Sequence, residues 1–166
     1  ALQVAGIQAQ QLSITDKKAA EAFNKRIGEI KEESTLKQKG YENERTGLDI
    51  AKQAIELGMT SGRLTEQEAI RQLYLNDINI KNNQLKLQEL EIDTKIQSLE
   101  AAKVADPTRA TAINDEIKLL NERRNFAKEQ TAQNIEAGRL SVIDKILKKD
   151  LQVLDFEYKM QEASRE

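Results

Sequence analysis

The chain has 166 residues, with 26 basic and 28 acidic side chains and a formal charge of −2, so no electrostatic surplus points to nucleic acid or an anionic membrane as a partner. It contains neither cysteine nor histidine. Disulfides, thiolate nucleophiles and the usual zinc sites are therefore excluded, and a metal site would have to be built from carboxylates alone.

Only 4% of the residues are aromatic, with no Trp, so the large side chains that fill the middle of a globular core are scarce. Leu, Ile, Ala, Glu, Lys and Gln recur throughout and β-favouring clusters do not. This balance predicts an all-α chain of long amphipathic helices that form coiled-coil or helical-hairpin rods, elongated and with a thin core. No apolar run approaches the roughly 18 residues of a membrane span, and Ala1–Leu12 lacks a basic n-region, so no stable membrane insertion is expected and the chain reads as soluble. Its start at Ala suggests a processed form or a fragment.

With one proline and seven glycines, breakers divide the chain sharply. A short helix is predicted near residues 2 to 12, followed by a weak start signal at Ser13 to Asp16. Long helices then follow near 16 to 57, 66 to 104, 108 to 136 and 142 to 163. The first segment, 1–57, carries a stripe of Phe23, Ile27, Ile30, Tyr41, Leu48, Ala51 and Ile55 that skips positions and is interrupted by Gly28, Gly40 and Gly47. Each interior glycine costs about 1 kcal/mol relative to Ala, so this segment is expected to bend or fray most easily.

A junction at 58–65 follows, where Gly58 can end a helix in the left-handed conformation and Thr65 with Glu68 forms a T-x-x-E capping box. Residues 66–136 read as a helical hairpin. On its first arm Ile70, Tyr74, Ile78, Leu85, Ile92, Ile96 and Leu99 share one stripe and Leu73, Ile80 and Leu87 another; two stripes imply two sets of neighbours. At about 1.5 Å per residue this arm alone spans close to 60 Å. The turn at 105–108 has Asp106 as N-cap and Pro107 at the first helical position, where its missing N–H costs nothing.

A second junction is expected at Gly138, with Ser141 and Asp144 as an approximate capping box opening the C-terminal helix of segment 137–166. There Ile143, Leu147, Leu151, Leu154 and Tyr158 form one seam, and Ile146, Val153 and Met160 another. Gly62-Arg63-Leu64-Thr65-x-x-Glu68 and Gly138-Arg139-Leu140-Ser141-x-x-Asp144 are similar junctions written twice, and this suggests a repeated hairpin unit.

No phosphate-binding glycine loop occurs, and no cofactor is implied. Carboxylate groups such as Glu32 with Glu33, or Glu89 with Glu91 and Asp93, read as solvated helix faces because no histidine or apolar pocket accompanies them. The basic pairs Arg123-Arg124 and Lys148-Lys149 read as surface solubility, and Tyr41, Tyr74 and Tyr158 as seam packing, since a stacking platform would need basic residues interleaved with aromatics. No enzyme constellation emerges.

The region from Gly58 to Leu120 resembles a segment of a tailed-phage or prophage tail tape measure protein. The resemblance rests on Gly62-Arg63-Leu64-Thr65-Glu66-Gln67-Glu68-Ala69, on the Leu85 to Leu99 helix and on Ala105-Asp106-Pro107-Thr108, with the second junction at Gly138 repeating the first. It departs from the family pattern at Val142, Ile143 and Lys145. The resemblance implies an extended scaffold in the lumen of the tail that sets tail length, found in the virion or in the host cytoplasm during assembly. Its partners would be other copies of itself and the tail tube or assembly proteins. Two rival readings are a coiled-coil adaptor or spacer of a cellular assembly and a helical-bundle pore-forming toxin. The toxin's best candidate insertion segment, Ala1 to Leu12, is short and holds four glutamines.

Overall fold

The computed structural model describes residues 16–165. Among them are α1 (Lys17–Thr60), α2 (Glu66–Ala105), a 3-10 turn (Pro107–Arg109) and α3 (Ala110–Arg165), with no strand. The all-α reading therefore holds, while the helix expected near 2 to 12 and the start at Ser13 lie outside the described residues. α1 opens at Asp16, whose carboxylate accepts the Lys18 N–H at 3.0 Å while its carbonyl accepts the Ala20 N–H, an N-cap arrangement that satisfies otherwise orphaned donors.

α1 runs unbroken through Gly28, Gly40 and Gly47. All three are exposed, and a Cβ at any of them would meet nothing within 4 Å, so they interrupt no contact. The positions that the apolar stripe skips are filled by buried Ser34 and half-buried Gln38 and Arg45. Continuity of the contact face explains why the expected weak segment remains helical.

The α1–α2 turn corrects one residue. Gly58 stays within the helix, and the left-handed position is Gly62, with φ of +77°. Gly62 N–H donates to the Met59 carbonyl at 3.2 Å and Leu64 N–H to the Gly58 carbonyl at 3.0 Å, which closes the helix end. Gly58 serves close approach instead, since a Cβ there would lie 2.9 Å from Leu64 Cδ1. The capping box is present in both directions: Glu68 N–H donates to Thr65 Oγ1 at 3.2 Å, and Thr65 N–H donates to Glu68 Oε2 at 3.3 Å.

The third expected joint does not form. α3 is one helix of 56 residues that passes through Gly138, Ser141 and Asp144, so the boundary between segments 66–136 and 137–166 and the predicted helices 108 to 136 and 142 to 163 merge. The first junction depends on two glycines four apart, Gly58 to receive Leu64 and Gly62 to turn. At the second, the residue four before Gly138 is Asn134, so the side-chain-free position that receives Leu64 in the first junction has no counterpart.

The chain forms two compact units. One takes the chain up to Gly47 together with Asn82–Thr131. Its core is Phe23 from α1, Ile92, Leu99 and Ala102 from α2, and Ile113 and Leu120 from α3, with Ile27, Ile96 and Ile117 packed against it. The other takes Leu48–Lys81 and the chain from Ala132 onward, with Gly58, Ala69, Asn76 and Ile80 buried. Within each unit α2 makes contacts with both α1 and α3, in keeping with its two stripes.

Because the three α1 glycines face open space, Gly28→Ala, Gly40→Ala and Gly47→Ala should each raise the free energy of unfolding by about 0.5 to 1 kcal/mol in urea titrations. Gly62→Ala should lower it by about 1 kcal/mol, because the left-handed conformation strains any Cβ. A stabilising Gly62→Ala would contradict this turn geometry.

Candidate functional site

The polar groups inside the seams are the features that sequence patterning missed. On α2 every seventh residue from Ala69 to Leu90 is buried: Ala69, Asn76, Asn83 and Leu90. Asn83 Nδ2 donates to the Tyr41 carbonyl at 2.9 Å in the first unit, and Asn76 Nδ2 donates to the Leu48 carbonyl at 3.1 Å in the second. Donors and acceptors both step by seven. Both Oδ1 atoms are buried without a hydrogen-bond partner, an arrangement that sacrifices stability and restricts register, since a slipped helix would leave the amides wholly unpaired. The shared interval between Asn76 and Asn83 was the available signal.

Further hydroxyl contacts join the same helices in the first unit. Thr94 Oγ1 lies 3.0 Å from Ser34 Oγ and 2.7 Å from the Leu90 carbonyl, while Ser98 Oγ donates to the Thr94 carbonyl at 2.8 Å. All three residues are buried. Small hydroxyl side chains at these positions let helix backbones approach closely while remaining satisfied. Lys86 bridges outward, 3.4 Å from Glu44 Oε1 and 5.9 Å from the centre of the Tyr41 ring.

The α2–α3 side is pinned by rim charges. In the first unit Arg124 pairs with Asp93, and Lys103 Nζ lies 3.2 Å from Asn114 Oδ1. In the second unit Lys149 pairs with Glu66 at 2.9 Å, Gln67 Nε2 donates to Asp150 at 2.8 Å, and Lys81 Nζ reaches both Asp77 at 2.8 Å and the Asn134 carbonyl at 3.2 Å. Gly138 now has a role different from the expected terminator. A Cβ there would stand 3.3 Å from Lys81 Nζ, so its absence gives the ammonium room between the helices.

The expected seam residues divide by position. Ile92 and Leu99 are buried, Ile96 is half-buried against the core, and Ile78 and Leu85 are half-buried. Ile143 and Leu147 are exposed, because α3 turns Val142, Ile146 and Lys149 inward instead. The side chains of Leu151 and Leu154 lie outside the described residues.

The expected junction residues divide as well. Gly62, Thr65 and Glu68 form the first turn. Asp106 occupies the N-cap position before Pro107, but its side chain makes no capping bond and accepts the Thr108 hydroxyl instead. Ser141 and Asp144 sit in mid-helix, where Asp144 pairs with Lys148 at 3.0 Å. Arg139 forks onto both carboxylate oxygens of Glu136 at 3.0 and 2.5 Å. That hydrogen bond, with the guanidinium charge reinforcing it, holds the Glu136 carboxyl below the usual carboxylate range and raises Arg139.

No group of three or more metal-ligating side chains converges among the described residues. A shallow groove in the second unit is lined by Glu66, Ile70, Lys145, Lys148, Lys149 and Gln152. Two of its lysines are already ion-paired, Lys148 with Asp144 and Lys149 with Glu66. Among the described residues no helix is long and apolar enough to cross a membrane. The candidate functional surface is therefore the outer face of α3 in the second unit, where Leu140, Ile143 and Leu147 are exposed at three- and four-residue steps and Tyr158 is exposed further along the same stripe; Phe156 and Met160 are exposed on the opposite side of the helix.

Replacing Asn83 by Leu should raise the unfolding free energy by about 1 kcal/mol, since it removes a buried amide that is only half satisfied. Leu99→Ala should lower it by about 2 to 5 kcal/mol through loss of buried surface and the cavity left behind. Chemical denaturation of both variants checks the pair, and a destabilised Asn83→Leu would show that the amide contributes net stability. No family model, curated protein or solved structure matches the chain.

Proposed function

We propose that the chain is a structural helical scaffold of a phage or prophage tail, similar to a tape measure protein that occupies the tail lumen and sets its length. The observation that carries this reading is the pairing of helices of 44, 40 and 56 residues with seams so narrow that the buried set alternates small, polar and aliphatic side chains. A helix adds about 1.5 Å per residue, so its length is a direct readout of residue number. The first junction and the Asp-Pro turn, on which the resemblance rests, are built as real helix ends; the Gly138 copy is not, so the resemblance now stands on the segment from Gly58 to Leu120.

The exposed apolar face of α3 favours a second reading, an adaptor or spacer in a cellular assembly, because a surface of this kind calls for a protein partner. Both readings place the activity in assembly and not in catalysis.

The test is genetic and structural. In the phage or prophage that encodes the chain, in-frame deletion of 14 residues from α1 together with the matching lengths of α2 and α3 should shorten tails seen by electron microscopy, by about 1.5 Å for each residue lost from an extended helix. The chain should also copurify with tailed particles. Unchanged tail length with the protein absent from particles would reject the tail reading in favour of the cellular adaptor.

A further inference from the structure

The letters Gly-Arg-Leu followed by Thr or Ser stand at 62–65 and again at 138–141, and they take two conformations. At 62–65 they turn the chain, with Gly62 left-handed; at 138–141 they run through the middle of α3. Nothing in the turn forbids a helix, since residues 58–65 contain no proline and, among the described residues, only Gly62 has a positive φ. Gly58 makes the room that the turn needs, because a Cβ there would lie 2.9 Å from Leu64 Cδ1. The equivalent position before Gly138 is Asn134.

The facing stripes of α1 and α2 share one seven-residue phase across that turn. On α1, Ser34 is buried and Tyr41, Leu48 and Ile55 are half-buried; on α2, Ala69, Asn76, Asn83 and Leu90 are buried. Neighbours in each set stand seven apart, and Gly62 is the midpoint of the double step from Ile55 to Ala69. A hairpin does not need this agreement, because its turn can set the phase of the second arm, whereas a continuous helix does. Both buried amide bonds, Asn83 to the Tyr41 carbonyl and Asn76 to the Leu48 carbonyl, are also centred on position 62.

We propose that the turn at 61–65 straightens into helix and that two copies exchange α1, so that α1 and α2 of each copy become one helix and the two helices pack antiparallel about a two-fold axis at Gly62. Glycine then meets glycine at the axis, with no side chain to accommodate. Asn83 and Asn76 of each copy donate to the Tyr41 and Leu48 carbonyls of the other, and Ser34 meets Thr94 across copies. The contacts of each unit are remade with α1 taken from the second copy, so the cost falls on the turn. The Gly62 to Met59 bond, the Leu64 to Gly58 bond and the Thr65–Glu68 box give way to ordinary helical bonds. Exchange of an identical element is a low-cost route to a dimer for this reason. The inference goes beyond the tail reading and does not rest on it.

Refolded from urea at about 100 μM, the full chain should yield by sedimentation equilibrium a species of twice the 18.8 kDa chain mass. Gly58→Asn, which gives the first junction the residue of the second, should raise the dimerisation constant about tenfold. Insertion of two alanines after Gly62 should abolish the dimer and leave a helical monomer: a turn absorbs them, but in a merged helix they rotate the α1 stripe about 200° away from that of α2. Insertion of seven alanines keeps the phase to within about 20° and should restore the dimer. Exchange is told from side-by-side contact by Ser34→Cys with Thr94→Cys, which places thiols where hydroxyls lie 3.0 Å apart in a chain with no other cysteine. After oxidation the disulfide should join two chains in the dimer fraction and lie within one chain in the monomer fraction.

A chain that stays monomeric both as wild type and as Gly58→Asn, a dimer whose disulfides remain within single chains, or equal association of the two insertion variants would overturn the proposal. None of these outcomes bears on the tail-length deletion, which reads helix length whichever copy supplies α1.

Discussion

Antiparallel register between α1 and α2 is the constraint on which the remaining architecture depends, and it is fixed by side-chain amides more than by hydrophobic bulk. Narrow aliphatic seams tolerate sliding by one turn, because one Leu or Ile replaces another at modest cost. A buried amide does not slide in this way. Asn83 on the Tyr41 carbonyl and Asn76 on the Leu48 carbonyl repeat the same bond once in each unit, and the helices reach these pairs only in one alignment. The incomplete satisfaction of both Oδ1 atoms is the energetic cost of that selectivity.

Small residues follow from the same constraint. Close backbone approach between α1 and α2 favours Ser34, Thr94 and Ser98 over larger side chains, and hydroxyl groups return their hydrogen bonds to nearby carbonyls or to each other. On the α2–α3 side, alignment is instead carried by charged groups at the rim, with Lys81 drawn between helices by Asp77 and Asn134. Rim pairs contribute little individually. Their distribution still discriminates among alignments, because each long side chain finds an acceptor only near its present position.

Sequence patterning recovered the features that depend on local chemistry. The Thr65–Glu68 box requires only residues three apart, and the two stripes of α2 require only helical geometry. Features that depend on a second helix were harder to read. Ser34, Gln38 and Arg45 looked like gaps in the α1 stripe, yet they lie on its buried or half-buried side, where Ser34 meets Thr94 of α2. The Gly138 copy matched the first junction in its visible letters but lacked the glycine four residues earlier, where Asn134 stands instead. Ile143 and Leu147 had convincing periodicity, but periodicity alone does not say which of two apolar stripes turns inward. Val142 and Ile146 take that place because Lys149 on the same face meets Glu66.

That division of α3 bears on what the molecule is built to do. A helix with one apolar face has its packing satisfied inside the chain, whereas a helix with two, only one of which is covered, retains free energy for association. Leu140, Ile143 and Leu147 expose such a second face alongside a covered one, and the helix then passes the start of α2 with Phe156, Tyr158 and Met160 uncovered. Hydrophobic burial offers about 25 cal/mol per Å² of apolar surface removed from water, so the exposed Leu140, Ile143, Leu147 and Tyr158 on one stripe represent a drive toward contact. Charged flanks keep that drive directional. The internal seams are thin and register-locked while Leu140, Ile143 and Leu147 stay exposed on α3, so the covered stripe holds the chain's own fold and the uncovered one remains available for contact.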